Sequence, residues 1–233
     1  MTLAANLAHI REQIAEACRR AGRAEQDVAL MAVSKNHSVE AVLELYAAGH
    51  RLFGESRVQE WQQKSLALTQ LTDAEVHLIG PLQSNKTARA VELFHAIDAV
   101  DSLKIATRLD AAVRTLGKRL PILIEVKLSL EESKHGVLPA ELPTLLTGLA
   151  PLSGLVPSGL MTVPPWSDDP EQARPYFREL RRLRDSSLAV CPTLTQLSMG
   201  MSNDFAVAIE EGSTCIRIGT ALFGRRQYTT AMS

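Results

Sequence analysis

Residues 28–48, Val-Ala-Leu-Met-Ala-Val-Ser-Lys-Asn-His-Ser-Val-Glu-Ala-Val-Leu-Glu-Leu-Tyr-Ala-Ala, hold one strand–helix unit of this 233-residue chain. Apolar, β-forming residues fill 28–34, and apolar residues then recur at helical spacing over 38–48. The same pattern repeats to residue 218, which predicts eight strands and seven intervening helices. Strands that alternate with helices pair in parallel, and eight units favour an α/β fold of the (β/α)8 TIM-barrel type over a doubly wound sheet. The predicted strands lie near 28–34, 51–53, 75–79, 94–98, 120–126, 155–160, 194–198 and 214–218, and the helices near 38–48, 56–68, 84–92, 102–116, 139–150, 169–187 and 203–211.

An extra helix is predicted before the first strand. Its apolar residues recur at steps of four and three, as expected for one face of a helix, and Gly22 is suited to end it. No linker-like or low-complexity segment interrupts the chain, so we expect one domain over 1–233 with residues 1–22 as an added N-terminal helix. The apolar residues of that helix are Leu3, Leu7, Ile10, Ile14, Ala17 and Ala21.

Composition narrows the class of protein. Hydrophobic residues make up 45% and charged residues 22%, which is typical of a globular chain and not of a disordered one. The net charge of −1 gives no electrostatic reason to expect nucleic-acid or membrane-surface binding. No signal peptide or membrane span is recognisable, no metal-ligand spacing occurs, and the cysteines (Cys18, Cys191 and Cys215) show no CxxC pair. We therefore expect a soluble cytoplasmic monomer without a metal.

Lys35 is the first candidate site residue, because it follows an almost wholly apolar strand. In a (β/α)8 barrel the functional groups gather at the carboxyl ends of the strands. Apolar surroundings lower the pKa of an amine and make it a competent nucleophile for an aldehyde. The alternative is a lysine that extends into solvent from the strand end.

The loops after the last two predicted strands form a candidate phosphate site. Ser198, Gly200 and Ser202 follow the seventh strand, and Gly219 and Thr220 follow the eighth. Backbone N–H groups in these two loops commonly bind phosphate in this fold. The alternative is a pair of ordinary glycine-containing turns in which Ser202 caps a helix.

Arg217 lies between two apolar β residues, Ile216 and Ile218. If these isoleucines face the helices, the period of two turns Arg217 into the barrel, where a guanidinium needs a partner. A cofactor ring nitrogen would serve, and so would the carboxylate of Asp98 or Glu125.

A nucleophilic lysine, a phosphate site and an interior arginine together suit pyridoxal 5′-phosphate (PLP), held by Lys35 as a Schiff base. An arginine at the pyridine nitrogen leaves that nitrogen unprotonated, which makes the ring a weaker electron sink. Ser56, Asn85 and Met161 also follow or end predicted strands, and we expect them to line the wall of this site.

At these residues the chain resembles the pyridoxal phosphate homeostasis protein family, whose fold is the barrel also found in alanine racemase. The matching motifs extend from the first strand almost to the carboxyl terminus. They are Ala32-Val-Ser-Lys35, Phe53-Gly-Glu-Ser-Arg-Val-Gln-Glu60, His77-Leu-Ile-Gly-Pro-Leu-Gln-Ser-Asn-Lys86, Ser133-Lys-His-Gly136, Gly159-Leu-Met-Thr162, Leu197-Ser-Met-Gly-Met-Ser202 and Gly212-Ser-Thr-Cys-Ile-Arg-Ile-Gly-Thr-Ala-Leu-Phe-Gly-Arg225.

The resemblance implies that Lys35 is the Schiff-base lysine, that Arg217 faces the pyridine nitrogen, and that Ser198, Ser202, Gly219 and Thr220 surround the phosphate. It implies a non-enzymatic role in vitamin B6 and amino-acid homeostasis, with apo PLP-dependent enzymes as partners. The chain departs from the family pattern at Ser56, Val76, Lys127 and His135, and Lys127 adds a second amine at a strand end. His77 and His135 are expected near the mouth of the site.

A PLP-dependent amino-acid racemase is the alternative function. Racemisation requires a base on each face of the substrate, and alanine racemases supply the second as a tyrosine from an additional domain. The tyrosines here are Tyr46, Tyr176 and Tyr228, the first two on predicted outer helices. We therefore expect no catalytic residues and a cofactor-holding role.

Overall fold

The computed structural model describes residues 2–129, 131 and 135–224. Eight parallel strands form a closed barrel in sequence order, and β8 pairs with β1 so that Ala32 lies opposite Ile218. The predicted (β/α)8 barrel is confirmed. Its strands are β1 Ala29–Val33, β2 Leu52–Glu55, β3 Glu75–Leu78, β4 Ala96–Val100, β5 Leu120–Glu125, β6 Leu155–Met161, β7 Gln196–Ser198 and β8 Cys215–Ile218. Its helices are α1 Leu3–Ala21, α2 Val39–Ala47, α3 Val58–Ser65, α4 Thr87–Leu93, α5 Leu103–Thr115, α6 Leu142–Leu149, α7 Arg174–Ser187, α8 Phe205–Glu210 and α9 Thr220–Phe223.

The predicted N-terminal helix is present as α1. The Thr2 hydroxyl caps it by accepting a hydrogen bond from Ala5 N at 3.2 Å, and Gly22 ends it in the left-handed region at φ 63°. The apolar face of α1 packs on α2, α8 and α9. Asn6 Nδ2 also donates to Leu222 O at 2.8 Å. The helix therefore covers the part of the helical layer where the first and last strand–helix units meet.

Side chains of β8 alternate between the two sides of the barrel wall, as predicted. Ile216 and Ile218 belong to the large apolar core between the barrel and its helices. Arg217 is buried and points to the barrel interior, where it contacts β7 and the end of β6. A separate apolar layer inside the barrel consists of Ala99, Leu123 and Met161.

Several element boundaries differ from the prediction, among them those of β2 and β4. Strand β2 begins one residue later than predicted and continues through Gly54 to Glu55, because Gly54 pairs with His77 and Glu55 with Leu78 of β3. Strand β4 begins two residues later than predicted, because Phe94 N still bonds to Ala90 O and ends α4. Helix α9 is not predicted, since its four residues are too few to show a helical period.

Candidate functional site

The carboxyl ends of the neighbouring strands β1 and β8 bring Lys35 close to Gly219. Lys35 is half-buried two residues beyond β1, and Gly219 directly follows β8. A Cβ at Gly219 would meet nothing nearer than Val33, at 3.6 Å. Protein packing therefore does not demand glycine here, because a Cβ would make only ordinary van der Waals contacts with Val33.

The loops after β7 and β8 are joined by a hydrogen bond. Ser202 Oγ accepts from Ala221 N at 3.2 Å, in the first turn of α9. Ser202 therefore does not cap its own helix, which begins at Phe205. The loop is fixed in addition by Asp204 Oδ1, which accepts from Met201 N at 2.6 Å. The two halves of the predicted phosphate site lie together, next to Thr220 at the start of α9.

Gly200 has a different reason to be glycine. Its φ is +97°, and a Cβ there would lie 2.6 Å from Ala208 Cβ and 3.1 Å from Phe205 Cα. The close approach of this loop to α8 requires glycine, and Gly200 O accepts from Arg217 N at 2.9 Å. Gly200 is thus required by close packing against α8, whereas the protein leaves room for a Cβ at Gly219.

Arg217 is held inside the barrel by two neutral acceptors. Nη1 donates to Ser198 Oγ at 2.7 Å, and Nη2 donates to Thr162 O at 2.8 Å. Ser198 is fully buried, and its hydroxyl contacts Arg217. Burial lowers the pKa of Arg217, while the carboxylates of Asp98 and Glu125 counteract that shift. The residue remains a fixed cation beneath the open end of the barrel.

A buried ion pair lies under the turn that carries Lys35. Lys64 Nζ donates to Ser34 O and to Glu55 Oε1, both at 2.9 Å, and Ser34 Oγ donates to the same carboxylate oxygen at 2.7 Å. Burial raises the pKa of Glu55, against the lowering effect of Lys64 and Ser34. Since Ser34 directly precedes Lys35, this cluster fixes one end of the turn.

Glu60 fixes the other end of the same turn. Its Oε1 accepts from Asn36 N at 2.5 Å and from Lys64 Nζ at 2.7 Å. Asn36 has a φ of +62°, a conformation that asparagine tolerates better than most residues. Lys35 is therefore flanked on both sides by backbone groups bound to one acidic–basic cluster. Sequence reasoning missed this cluster, although the i,i+4 spacing of Glu60 and Lys64 is a readable signal.

The three predicted wall residues occupy different places. Ser56 is half-buried after β2 and packs against Gly80, where a Cβ would lie 2.4 Å from Ser56 O. Met161 is fully buried within the apolar layer of the barrel interior. Asn85 is exposed in a short turn before α4. Only Ser56 is therefore placed at the rim of the carboxyl end by its contacts.

Some motif residues cannot be placed at this site. Ser133, Lys134 and Arg225 lie outside the described residues. His77 lies within β3, and its side chain lines a cavity at the amino end of the barrel, opposite the end where we expected it. In the described part of the chain, no cluster of histidine, cysteine and acidic side chains could hold a metal ion. Within the same part, no helix is long and apolar enough to cross a membrane.

Comparisons with known proteins identify the family. The model of the alanine racemase N-terminal domain matches residues 5–227. The pyridoxal phosphate homeostasis protein of Aquifex aeolicus is 42% identical over 229 residues, which cover 98% of this chain and 100% of that one. That of Haemophilus influenzae is 39% identical over 236 residues and covers 100% of both chains. The chain belongs to the pyridoxal phosphate homeostasis protein family.

Solved structures support both the family and the fold. PipY of Synechococcus elongatus PCC7942, with PLP bound, has 41% identity and a TM-score of 0.86, covering 95% of this chain and 100% of that one. Alanine racemase from Bartonella henselae has 16% identity and a TM-score of 0.72, covering 98% of this chain and 61% of that one. The second likeness concerns the fold alone. The family resemblance inferred from the sequence motifs is confirmed.

Proposed function

We propose that this member of the pyridoxal phosphate homeostasis protein family binds PLP at the carboxyl end of its barrel, as a Schiff base on Lys35. The observation that carries the proposal is the position of Lys35, half-buried after β1 on the strand that neighbours β8, where the backbone of Gly219 is not crowded by the protein. The relative PipY, 41% identical to this chain, has a structure with PLP bound. The attachment condenses the lysine amine with the cofactor aldehyde and releases one water.

The remaining residues fit the other parts of PLP. Amino-terminal N–H groups of a helix lack partners within the helix, so those of Gly219 and Thr220 can donate to a phosphate. Ser202 fixes these groups through its bond to Ala221 N. Arg217 can only donate hydrogen bonds, so it suits an unprotonated pyridine nitrogen. When bound, PLP supplies an aldehyde and a weakened electron sink.

We further propose that the protein holds PLP without turning over a substrate. A racemase needs a second base opposite its lysine. Tyr46 lies on the outer helix α2 and bonds to Asp73, Tyr176 lies on the outer helix α7, and Tyr228 lies outside the described residues. The role we favour is cofactor storage and delivery to apo PLP-dependent enzymes, by a monomer in the cytoplasm.

Site labelling tests the attachment. The PLP-loaded protein is reduced with borohydride, digested with trypsin and searched for pyridoxyl-lysine by mass spectrometry. Lys35→Ala should lose the label and the visible absorbance band, while the matched variant Lys127→Ala should keep both. A label on Lys127 in the wild type, or an unchanged spectrum of Lys35→Ala, would refute the assignment.

Two activity measurements test the role. Holoprotein is incubated with L-alanine and D-alanine is followed by chiral chromatography, where turnover at ordinary enzyme rates would favour the racemase. Holoprotein is also mixed with an apo PLP-dependent enzyme, and its activation is compared with that produced by the same concentration of free PLP. If the holoprotein delivers PLP directly, the apo-enzyme should be activated faster than PLP can dissociate from the holoprotein and bind from solution.

A further inference from the structure

The amino end of the barrel holds a cavity of about 340 Å³. It lies where the strands begin: Glu75 is the first residue of β3, and Gln196 is the first residue of β7. Lys35 and Gly219 lie at the opposite ends of their strands. Among the residues that line the cavity, the polar ones are Glu75, His77, His95, Asp98, Ser158 and Gln196.

Asp98 gives this cavity an unsatisfied acceptor. The residue is only 1% exposed, and His77 Nδ1 lies 3.2 Å from its carboxylate. Nδ1 forms a hydrogen bond with Oδ2. It also lies 3.2 Å from the buried Oδ1, but Oδ1 has no hydrogen bond of acceptable geometry among the described residues. A buried carboxylate oxygen without a donor destabilises the folded state, because it has lost its hydrogen bonds to water and has formed none within the protein. The cavity beside Asp98 is the available place for a donor.

Charge around the cavity selects a cation. His77 lies between two carboxylates, 3.2 Å from Asp98 and 3.9 Å from Glu75. Burial lowers the pKa of His77, but Asp98 and Glu75 raise it by more. Even a protonated His77 leaves one negative charge in excess at the lining. Arg217, which also faces Asp98, has its guanidinium bound to Ser198 and Thr162.

The four lining residues other than the six polar ones are apolar. These apolar residues can pack against the hydrophobic part of a ligand, while the acidic residues can bind a charged group that carries N–H donors. An amidinium or ammonium group satisfies a carboxylate well, because charge-assisted hydrogen bonds are the strong ones. The apolar lining residues are Ala96, Pro121, Ile122 and Leu123.

We propose that the amino-end cavity binds a small organic cation that donates a hydrogen bond to Asp98 Oδ1 and packs an apolar body against the apolar lining of β4 and β5. This site is separate from the proposed PLP site and does not depend on it. The bound cation and the buried guanidinium of Arg217 would both interact electrostatically with the Asp98 carboxylate.

Three probes of nearly equal shape test the charge requirement. Benzamidine is a cation, benzamide is neutral and benzoate is an anion, and none of them condenses with the aldehyde of PLP. Isothermal titration should show benzamidine binding in the millimolar range or tighter, and no binding of the other two. Equal binding of benzamide or benzoate, or no binding of benzamidine, would overturn the proposal.

Substitutions at the cavity and competition with PLP show where benzamidine binds. Asp98→Asn and Glu75→Gln should each weaken benzamidine binding by about tenfold, the loss of one charge-assisted contact. Glu12→Gln, a matched change at an exposed position of α1, should leave it unaltered. Glu75 is 69% exposed, so its variant keeps the test valid if Asp98→Asn fails to fold. The affinity should be the same with and without saturating PLP, and competition between the two would place benzamidine at the wrong end of the barrel.

Discussion

Arg217 Nη1 donates to Ser198 Oγ at 2.7 Å. This hydrogen bond joins the two most buried polar residues of β7 and β8. The interaction points the guanidinium toward the carboxyl end of the barrel, where Thr162 O is its second acceptor at 2.8 Å. We therefore expect Ser198 to position Arg217, while its contact with the phosphate of PLP stays a prediction.

Ser198→Ala should disturb Arg217 and, through it, the cofactor. The substitution leaves a buried N–H without a partner, so we expect a loss of about 1–3 kcal/mol in the free energy of unfolding. PLP affinity should fall about tenfold, because the guanidinium keeps only one fixed acceptor. Urea unfolding and absorbance titration with PLP measure the two effects.

Ser187→Ala is the control for this prediction. Ser187 is also buried, and its hydroxyl donates to Leu183 O at 2.7 Å within α7, away from the barrel interior. We expect reduced stability with unchanged PLP affinity. Full PLP affinity in a folded Ser198→Ala protein would contradict the positioning role.

Gly219→Ala should lose PLP affinity while the fold persists, whereas Gly200→Ala should lose stability. A methyl at Gly219 meets only Val33, at an ordinary contact distance, so the fold should persist while PLP affinity drops at least tenfold. A methyl at Gly200 would collide with Ala208, and φ +97° disfavours alanine, so we expect about 2–4 kcal/mol of destabilisation. Thermal unfolding and PLP titration of both variants distinguish the two outcomes. Normal PLP binding by Gly219→Ala would show that no ligand approaches its backbone.

Glu60→Ala should slow PLP uptake without unfolding the chain. It removes the acceptor for Asn36 N and one of the three acceptors of Lys64 Nζ, which loosens the turn around Lys35. We expect about tenfold slower formation of the visible absorbance band after PLP is added, since misplacement of a reacting group by a small distance is costly. Glu92→Ala removes an exposed ion pair with Arg89 on α4 and should bind PLP at the wild-type rate. Equal rates for the two variants would argue against a positioning role of Glu60.

The sequence pattern predicts the barrel well because each strand–helix unit is a local signal. Apolar runs end at polar residues such as Lys35, and helices carry one apolar face, so the alternation is readable without distant contacts. The inward direction of Arg217 follows in the same way, from the period of two around Ile216 and Ile218.

Contacts between separate units are beyond this reasoning. The bond from Ala221 N to Ser202 Oγ joins residues 19 apart, and Lys64 reaches Ser34 across 30 positions. Ser198 and Ser202 have the same chemistry and lie in one motif, yet the first faces the interior and the second faces α9. The amino-end cavity likewise cannot be predicted from the sequence. Residues near the starts of five strands form it, and none of these strands carries a sequence signal for a cavity.

Stability should fall between neutral pH and about pH 5 partly through His50. The ring is buried, and Nε2 lies 2.7 Å from Leu52 O. Burial lowers the pKa of His50 to about 4, and Arg11 and Arg51 add to the effect, against the raising influence of Leu52. An unfolded histidine takes up its proton near pH 6.5, so below that pH the unfolded chain binds more protons than the native one. The native state therefore loses about 1.4 kcal/mol for each pH unit below 6.5, until the folded pKa is reached.

His50→Gln removes this titration while keeping a donor for Leu52 O. The free energy of unfolding of the wild type should fall by about 2 kcal/mol more than that of the variant between pH 7 and pH 5. Urea unfolding at several pH values measures the difference, and His9→Gln, at an exposed position on α1, should follow the wild type. Parallel pH profiles for the wild type and His50→Gln would mean that His50 has the same pKa in the folded and unfolded chains. Burial of its ring would then not be a source of acid sensitivity.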